Sequence, residues 1–274
     1  MTWTILHGDC RAIMGDGPKR DIMITDPPYS EYVHKSATSC GTPGEVPSKR
    51  ARGAHHRDLG FEHLAPELMT FTCQLAAATP RWSVIFSDTE SVGLWRSELV
   101  KAGAQYIRSI PWVRWSMPQL SGDRPPQGHE MVVVAHGHAK GKKSWNGPGN
   151  LTHFAHTCMR GSVKHTAQKP LDQMLDIVEF FSNPGETVFD PFAGSGTTIL
   201  AANILNRNAV GVELDGEWAE RAKCRLGTGG SIDDADRFAK YRRSAAIRLE
   251  EMKRMAANTA RIIANRERSL KVTK

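Results

Sequence analysis

Disulfide chemistry, membrane spans and a zinc ribbon are all poorly provided for in this chain. Its five cysteines (Cys10, Cys40, Cys73, Cys158, Cys224) are scattered, odd in number and never spaced C-x-x-C. That usage points to free thiols in a reducing compartment. No charge-flanked apolar run marks a signal peptide, and no apolar stretch is long enough to span a bilayer. The expected location is therefore the cytoplasm, with no membrane partner. No lysine follows the glycine-rich turn at 190–198, which excludes a P-loop, and the G-x-G-x-x-G spacing of dinucleotide binders is absent too. His136, His138, His153, His156 and Cys158 match no familiar zinc spacing, so no metal is expected.

What is present is an ordinary globular composition, 40% hydrophobic and 24% charged in 274 residues. The net charge of +7 is concentrated at one end: residues 229–274 hold twelve basic and six acidic side chains. Such a tail suits a polyanion such as nucleic acid, and it suits equally a solvated Arg-rich helix. Phe238, Ala245, Met252 and Thr259 recur every seven residues, with Leu249, Ala256 and Ile263 on a neighbouring line. The spacing predicts one long amphipathic helix. Three roles are open to it: packing on the domain, which is the default, pairing with a second copy as a homodimer, or lying along DNA.

Upstream, short apolar runs alternate with helical patterns. Strands are expected at 2–9, 21–25, 82–88, 106–115, 129–137, 187–190 and 208–215, and helices at 66–78, 92–102, 171–182, 197–205 and 217–226. The alternation indicates a doubly wound, mostly parallel α/β sheet with helices on both faces. We expect a catalytic domain over 1–228 and a basic helical extension over 229–274. Residues 30–60, rich in Gly, Pro, Ser and basic residues, read as a loop that closes over DNA. Residues 116–128 and 138–164 are irregular and are the candidate DNA-recognition segments.

Two stretches carry chemistry. "VFDPFAGSGTT" (188–198) is a strand, a glycine turn and a helix start. Gly194 and Gly196 let the backbone approach a ligand, and the helix N-terminus suits a carboxylate or phosphate. Glu213 ends the next strand, where an acid can accept hydrogen bonds from ribose hydroxyls; together they suggest an adenosine-containing cofactor. "DIMITDPPYS" (21–30) stops a buried strand with an acid, two prolines and an aromatic, more than a turn requires.

With DPPY at 26–29 and DPFAGSGTT at 190–198, the chain resembles the amino-group DNA methyltransferases that use S-adenosylmethionine. It is most similar to their permuted β class, in which the catalytic motif precedes the cofactor loop. "LHGDC" (6–10) and "HTAQKP" (165–170) are similar to two further motifs of that class. The resemblance implies a seven-stranded methyltransferase sheet and double-stranded DNA as substrate. It implies a cofactor pocket formed by Asp190, Pro191, Phe192, Ala193, Gly194, Ser195, Gly196, Thr197 and Thr198. Glu213 would bind the ribose and Asp9, with Cys10 beside it, the adenine edge. His165, Thr166, Gln168 and Lys169 would complete the pocket, although Thr166 and Ala167 depart from the usual H-P-T-Q-K-P.

The same resemblance makes Asp26, Pro27, Pro28 and Tyr29 catalytic. A carboxylate and a proline carbonyl would each accept one N–H of an exocyclic amine. That aims its lone pair at the sulfonium methyl for in-line displacement. Tyr29 would stack on the base, which must be flipped out of the duplex to be reached. The resemblance favours adenine N6 as the target. Cytosine N4 is the nearest alternative, followed by RNA amino-methylation and by a non-catalytic DNA-binding protein of the same fold.

Overall fold

The computed structural model describes residues 2–13, 20–31, 33, 63–115, 128–137, 144–149, 151–157, 168–231, 234–248, 250, 253 and 254. The expected closing loop at 30–60 therefore lies almost wholly outside the described residues, as do most of 116–128, His165 and Thr166.

Eight strands form one sheet: β1 (Trp3–His7), β2 (Ile22–Thr25), β3 (Trp82–Ser87), β4 (Gln105–Trp115), β5 (His129–His136), β6 (Phe154–Thr157), β7 (Thr187–Asp190) and β8 (Asn208–Glu213). Their order is β1-β8-β7-β2-β3-β5-β4-β6. The helices are α1 (Cys10–Ile13), α2 (Pro66–Ala78), α3 (Val92–Lys101), α4 (Leu171–Phe181), α5 (Thr197–Ile204) and α6 (Gly216–Gly227). A seventh, α7, covers 234–248. None is long and apolar enough to cross a membrane among the described residues.

The sheet departs from the expected seven strands in two ways. β5 runs antiparallel between β3 and β4, and an eighth strand, β6, pairs parallel with β4 through Trp112↔Phe154 to Trp115↔Thr157. "FAHT" has neither length nor alternation to announce a strand, and it is β-structured because β4 supplies an open edge. The other neighbours along β1-β8-β7-β2-β3 are all parallel.

Two buried layers flank the sheet, and successive strand residues alternate between them. Ile22, Ile24, Trp82, Val84, Phe86, Val132, Val134 and Val188 pack with residues of α4, α5 and α6. Met23, Ile85, Val133, Ala135 and Phe189 pack with residues of α2 and α3. Strands covered on both faces are the reason these runs are apolar without alternation. Local signals set the helix ends. Pro66 opens α2, where its missing N–H costs nothing. The Asp215 carboxylate caps α6 by accepting from the N–H of Glu217 (2.8 Å) and of Trp218 (3.0 Å).

α7 packs on the domain. Tyr241 is buried, and Phe238 and Ala245 pack against the layer that contains α4. Three of its basic residues reach acids of α4, while Arg242 and Arg243 are exposed. Arg237 (2.9 Å) and Lys240 (3.3 Å) pair with Asp172, and Arg248 pairs with Asp176 (2.8 Å) and Glu179 (3.2 Å), all three acids on α4. Three of the twelve basic residues of the extension are thus paired with α4, and Lys253 pairs with Glu250 at 2.8 Å.

Candidate active site

β7 leads through α5 to β8 on one side, and β2 leads through α2 to β3 on the other. The sheet therefore changes direction between β7 and β2, and a crevice opens beyond their C-terminal ends. Both motif loops start there. The Thr25 hydroxyl donates to Asp190 Oδ1 at 2.8 Å, tying the last residue of β2 to the last of β7 across 165 positions of sequence. DPPY begins at the next residue, and the glycine loop leaves from Asp190.

In the glycine loop, Gly194 adopts φ 51° and Gly196 φ 76°, both left-handed. The Gly194 N–H donates to Glu213 Oε2 at 2.7 Å, and the Asp215 N–H to Glu213 Oε1 at 2.9 Å. The acid at the tip of β8 is thereby aligned with the loop. Gly196 is also a packing position. A Cβ there would lie 3.1 Å from Ala222 Cβ of α6 and 3.5 Å from Ile5 Cδ1 of β1, so the glycine lets α6 dock. Thr197 and Thr198 are also turned inward: Thr197 meets Ser195 and Arg225, and Thr198 bonds Asp190. Pro191 and Ala193 are buried.

Asp190 is 2% exposed, and burial pushes its carboxyl up to about 6 despite hydrogen bonds from Thr198, Thr25 and the Phe192 N–H. An acid with a raised pKa favours the folded state at low pH. Its ionisation costs stability as pH rises from the ordinary value near 3.8 through about 6. Asp190→Asn, which can keep the bonds from Thr25 and Phe192, should remove that dependence. It should be about 2–3 kcal/mol more stable than the parent at pH 7 and equal to it at pH 4, as read by urea unfolding.

The DPPY loop is fixed from below. The Ser30 N–H donates to Asp88 Oδ2 at 3.1 Å, Asp88 Oδ1 accepts from the Ser91 N–H, and the Leu64 N–H donates to the Tyr29 carbonyl. Asp26 Oδ1 lies 3.1 Å from Lys169 Nζ, yet this buried atom receives no aligned hydrogen bond among the described residues. An acceptor in that state suits an incoming N–H. Burial raises the Asp26 pKa; Lys169 opposes the rise and Glu130 adds to it.

Lys169 stands elsewhere than the sequence suggested, and it meets a residue that the sequence did not single out. Lys169 reaches the DPPY loop, within 2.8 Å of the Tyr29 hydroxyl and of Glu130 Oε2. Glu130, which sequence reasoning missed, accepts from the Tyr29 hydroxyl at 2.6 Å. Its signal was legible: it shares a face of β5 with Val132 and Val134, both in the core. An acid aimed at a core demands a partner. Gln168 Oε1 is a further buried acceptor without a hydrogen bond among the described residues. Cys10 is packed in the layer with Met23 and Phe189, and burial pushes its thiol up to about 11. Asp9 is held by Arg11 (2.6 Å), whose hydrogen bonds keep its carboxyl below the usual range.

Of the candidate recognition segments, 144–149 sits at the wrong edge. Ser144 accepts from Arg81 and from Trp82 Nε1 (2.9 Å), and Asn146 Nδ2 donates to the Ser182 carbonyl (2.8 Å). These contacts lie at the start of β3 and the end of α4, opposite the crevice. β4 and β6 both end at the crevice edge, where Trp112 pairs with Glu130. Trp112 itself is core, 2% exposed.

A glycine loop with its acid, facing an Asp-Pro-Pro-Tyr loop across the switch point of a mixed α/β sheet, defines a methyltransferase-type fold. The chain matches the DNA methylase family (N6_N4_Mtase) over residues 82–223, just over half its length, and belongs to that family. It is 37% identical over 81 residues, 29% of this chain, to the Type II methyltransferase M.HpaI of Haemophilus parainfluenzae. It is 32% identical over 111 residues, 40% of this chain, to the DNA adenine methyltransferase YhdJ of Escherichia coli strain K12. These matches span only 26% and 37% of the two relatives' lengths. Among solved structures, the M1.HpyAVI–SAM complex superposes with a TM-score of 0.61 at 27% identity, covering 82% of this chain and 99% of that one. The cytosine-N4-specific PvuII DNA methyltransferase shares the fold, with a TM-score of 0.57 at 13% identity over 89% of this chain and 92% of its own.

Proposed function

We propose that this protein is an S-adenosylmethionine-dependent DNA methyltransferase of the permuted β class, acting on the N6 amine of a flipped adenine. The observation that carries the reading is the junction of the two motif loops through Thr25 and Asp190 at the switch point. The residues present fit the cofactor. Glu213 is only partly buried and its loop is preset. Leu214 beside it is an apolar side chain 70% exposed, suited to an adenine ring. Gln168 offers an unpartnered acceptor next to Ser195 for the methionine end. Asp9, Phe192 and Gly194 complete the set, and His165 and Thr166 belong to it by resemblance.

When bound, the cofactor supplies an electrophilic methyl on a sulfonium. Asp26 accepts one N–H of the target amine and a proline carbonyl of the loop the other, which holds the amine near tetrahedral geometry with its lone pair outward. Pro27 and Pro28 make that carbonyl rigid. Tyr29 presents its ring to the base. Adenine is favoured by Asp26 at the first motif position and by likeness to a relative named for adenine. β4 and β6 end at the crevice edge, so the sequence that follows each, outside the described residues, is the proposed DNA contact, and residues 255–274 add basic side chains.

Sequencing modified bases in DNA from cells expressing the protein should give N6-methyladenine at one short motif. N4-methylcytosine there would transfer the reading to the cytosine enzymes. Unmodified DNA from cells holding folded protein would overturn it.

A further inference from the structure

The group around Asp26 is more elaborate than an acceptor for one N–H requires. Lys169 Nζ lies among three rings, 4.8 Å from the centroid of Phe86, 5.1 Å from Tyr29 and 5.2 Å from Trp112. Its ammonium contacts Asp26 (3.1 Å), Glu130 (2.8 Å) and the Tyr29 hydroxyl (2.8 Å). The same Glu130 oxygen accepts a hydrogen bond from the Tyr29 hydroxyl at 2.6 Å. Two acids and one lysine, each side chain largely buried, place one more acid than base where the proposed reaction moves positive charge from sulfur to nitrogen. No part of the acceptor role needs Glu130. Without it, however, nothing in this set would stop the ammonium from swinging wholly onto Asp26 and occupying the acceptor meant for the amine.

We propose that Glu130 is a positioning residue of the catalytic loop: it holds the Lys169 ammonium and the Tyr29 hydroxyl so that the Asp26 carboxylate stays in place and open to the target amine. The inference rests on the methyltransferase reading for its consequence in catalysis, but the clamp itself is a property of the folded protein. Burial is the largest influence on Asp26; of the charges facing it, Lys169 favours its ionised form and Glu130 disfavours it, with Tyr29 bonding it and Asp190 near enough to feel it. Lys169 in turn is pushed down by burial and up by the two acids, which prevail, so it stays charged.

The two halves of the clamp therefore have opposite signatures. Glu130→Gln is isosteric and removes a negative charge, so the Asp26 titration should move to lower pH. Lys169→Met removes the positive charge and should move it to higher pH. Aspartate-13C-labelled protein, with the Asp26 signal assigned from Asp26→Asn, reads both shifts without any substrate. In parallel, kcat on DNA should fall about tenfold in Glu130→Gln, the size of one charge-assisted hydrogen bond. The acid limb of its pH profile should move down, with cofactor Kd unchanged. Tyr29→Phe should reproduce part of that loss. If Lys169→Met fails to fold, the Glu130→Gln shift decides alone. An Asp26 titration that stays put in Glu130→Gln, or moves upward, overturns the clamp. Absent methyl transfer by the parent protein overturns the methyltransferase reading instead, and the carboxylate titration still decides the clamp.

Discussion

Asp26→Ala is expected to reduce methyl transfer by about 1,000-fold or more while leaving cofactor binding within about threefold of the parent. The estimate follows from what loss of one preorganised group does to a reaction that depends on positioning. The fold should tolerate the change. Removing Asp26 leaves no buried charge unpaired in its cluster, because Lys169 stays paired with Glu130 at 2.8 Å. The cofactor loop keeps its own hydrogen bonds, including that from Gly194 to Glu213. Single-turnover kinetics with isothermal titration of the cofactor separates the two effects. A near-normal rate would remove Asp26 from the chemistry.

The second large effect is on stability. Arg225 of α6 bridges the glycine loop to α7: it donates to the Ser195 carbonyl and to Thr197 Oγ1, each at 2.9 Å, and pairs with Asp234 through bonds of 2.8 and 2.5 Å. The Asp234 side chain is 3% exposed and that of Arg225 10%. Breaking a buried pair strands the remaining charge, so Arg225→Met should cost about 3 kcal/mol in urea unfolding. The Ser231 bonds to Asp234 offset the upper part of the usual range. Burial works against the Asp234 carboxylate, yet Arg225 and Ser231 keep its pKa below 3.8. A depressed acid stabilises above its unfolded value and loses that stability as pH falls through the folded one. The gap between parent and variant should therefore be full at pH 7 and shrink below about pH 4. Arg237→Met is the contrast: Asp172 keeps Lys240 at 3.3 Å, and the cost should be smaller.

How much of this the sequence disclosed depended on whether the cause was local. The α2 bounds match because Pro66 opens the helix and Thr79-Pro80 closes it, and the buried strands match because apolar runs between turn residues have few alternatives. The direction of β5 was not legible, since an apolar run does not record whether its neighbour is parallel. β6 was missed because its structure comes from the edge of β4. Both motif loops were legible as chemistry, but not their finer assignments. Gly196 is small for the sake of α6, a contact 26 residues away, and Lys169 turned from the cofactor motif to the catalytic loop because Glu130 and Asp26 await it there. The basic helix packs on the domain, the default among its three roles, but the acids of α4 beneath it could not be matched to it from sequence.

The most direct test incubates the purified protein with double-stranded DNA and S-adenosylmethionine carrying a labelled methyl, digests the DNA and separates the nucleosides. The account predicts label in N6-methyl-2′-deoxyadenosine from the parent protein and about 1,000-fold less, or none, from Asp26→Ala at equal cofactor occupancy. Cofactor bound by the parent protein with no label in any nucleoside, across DNA of varied sequence, would contradict it.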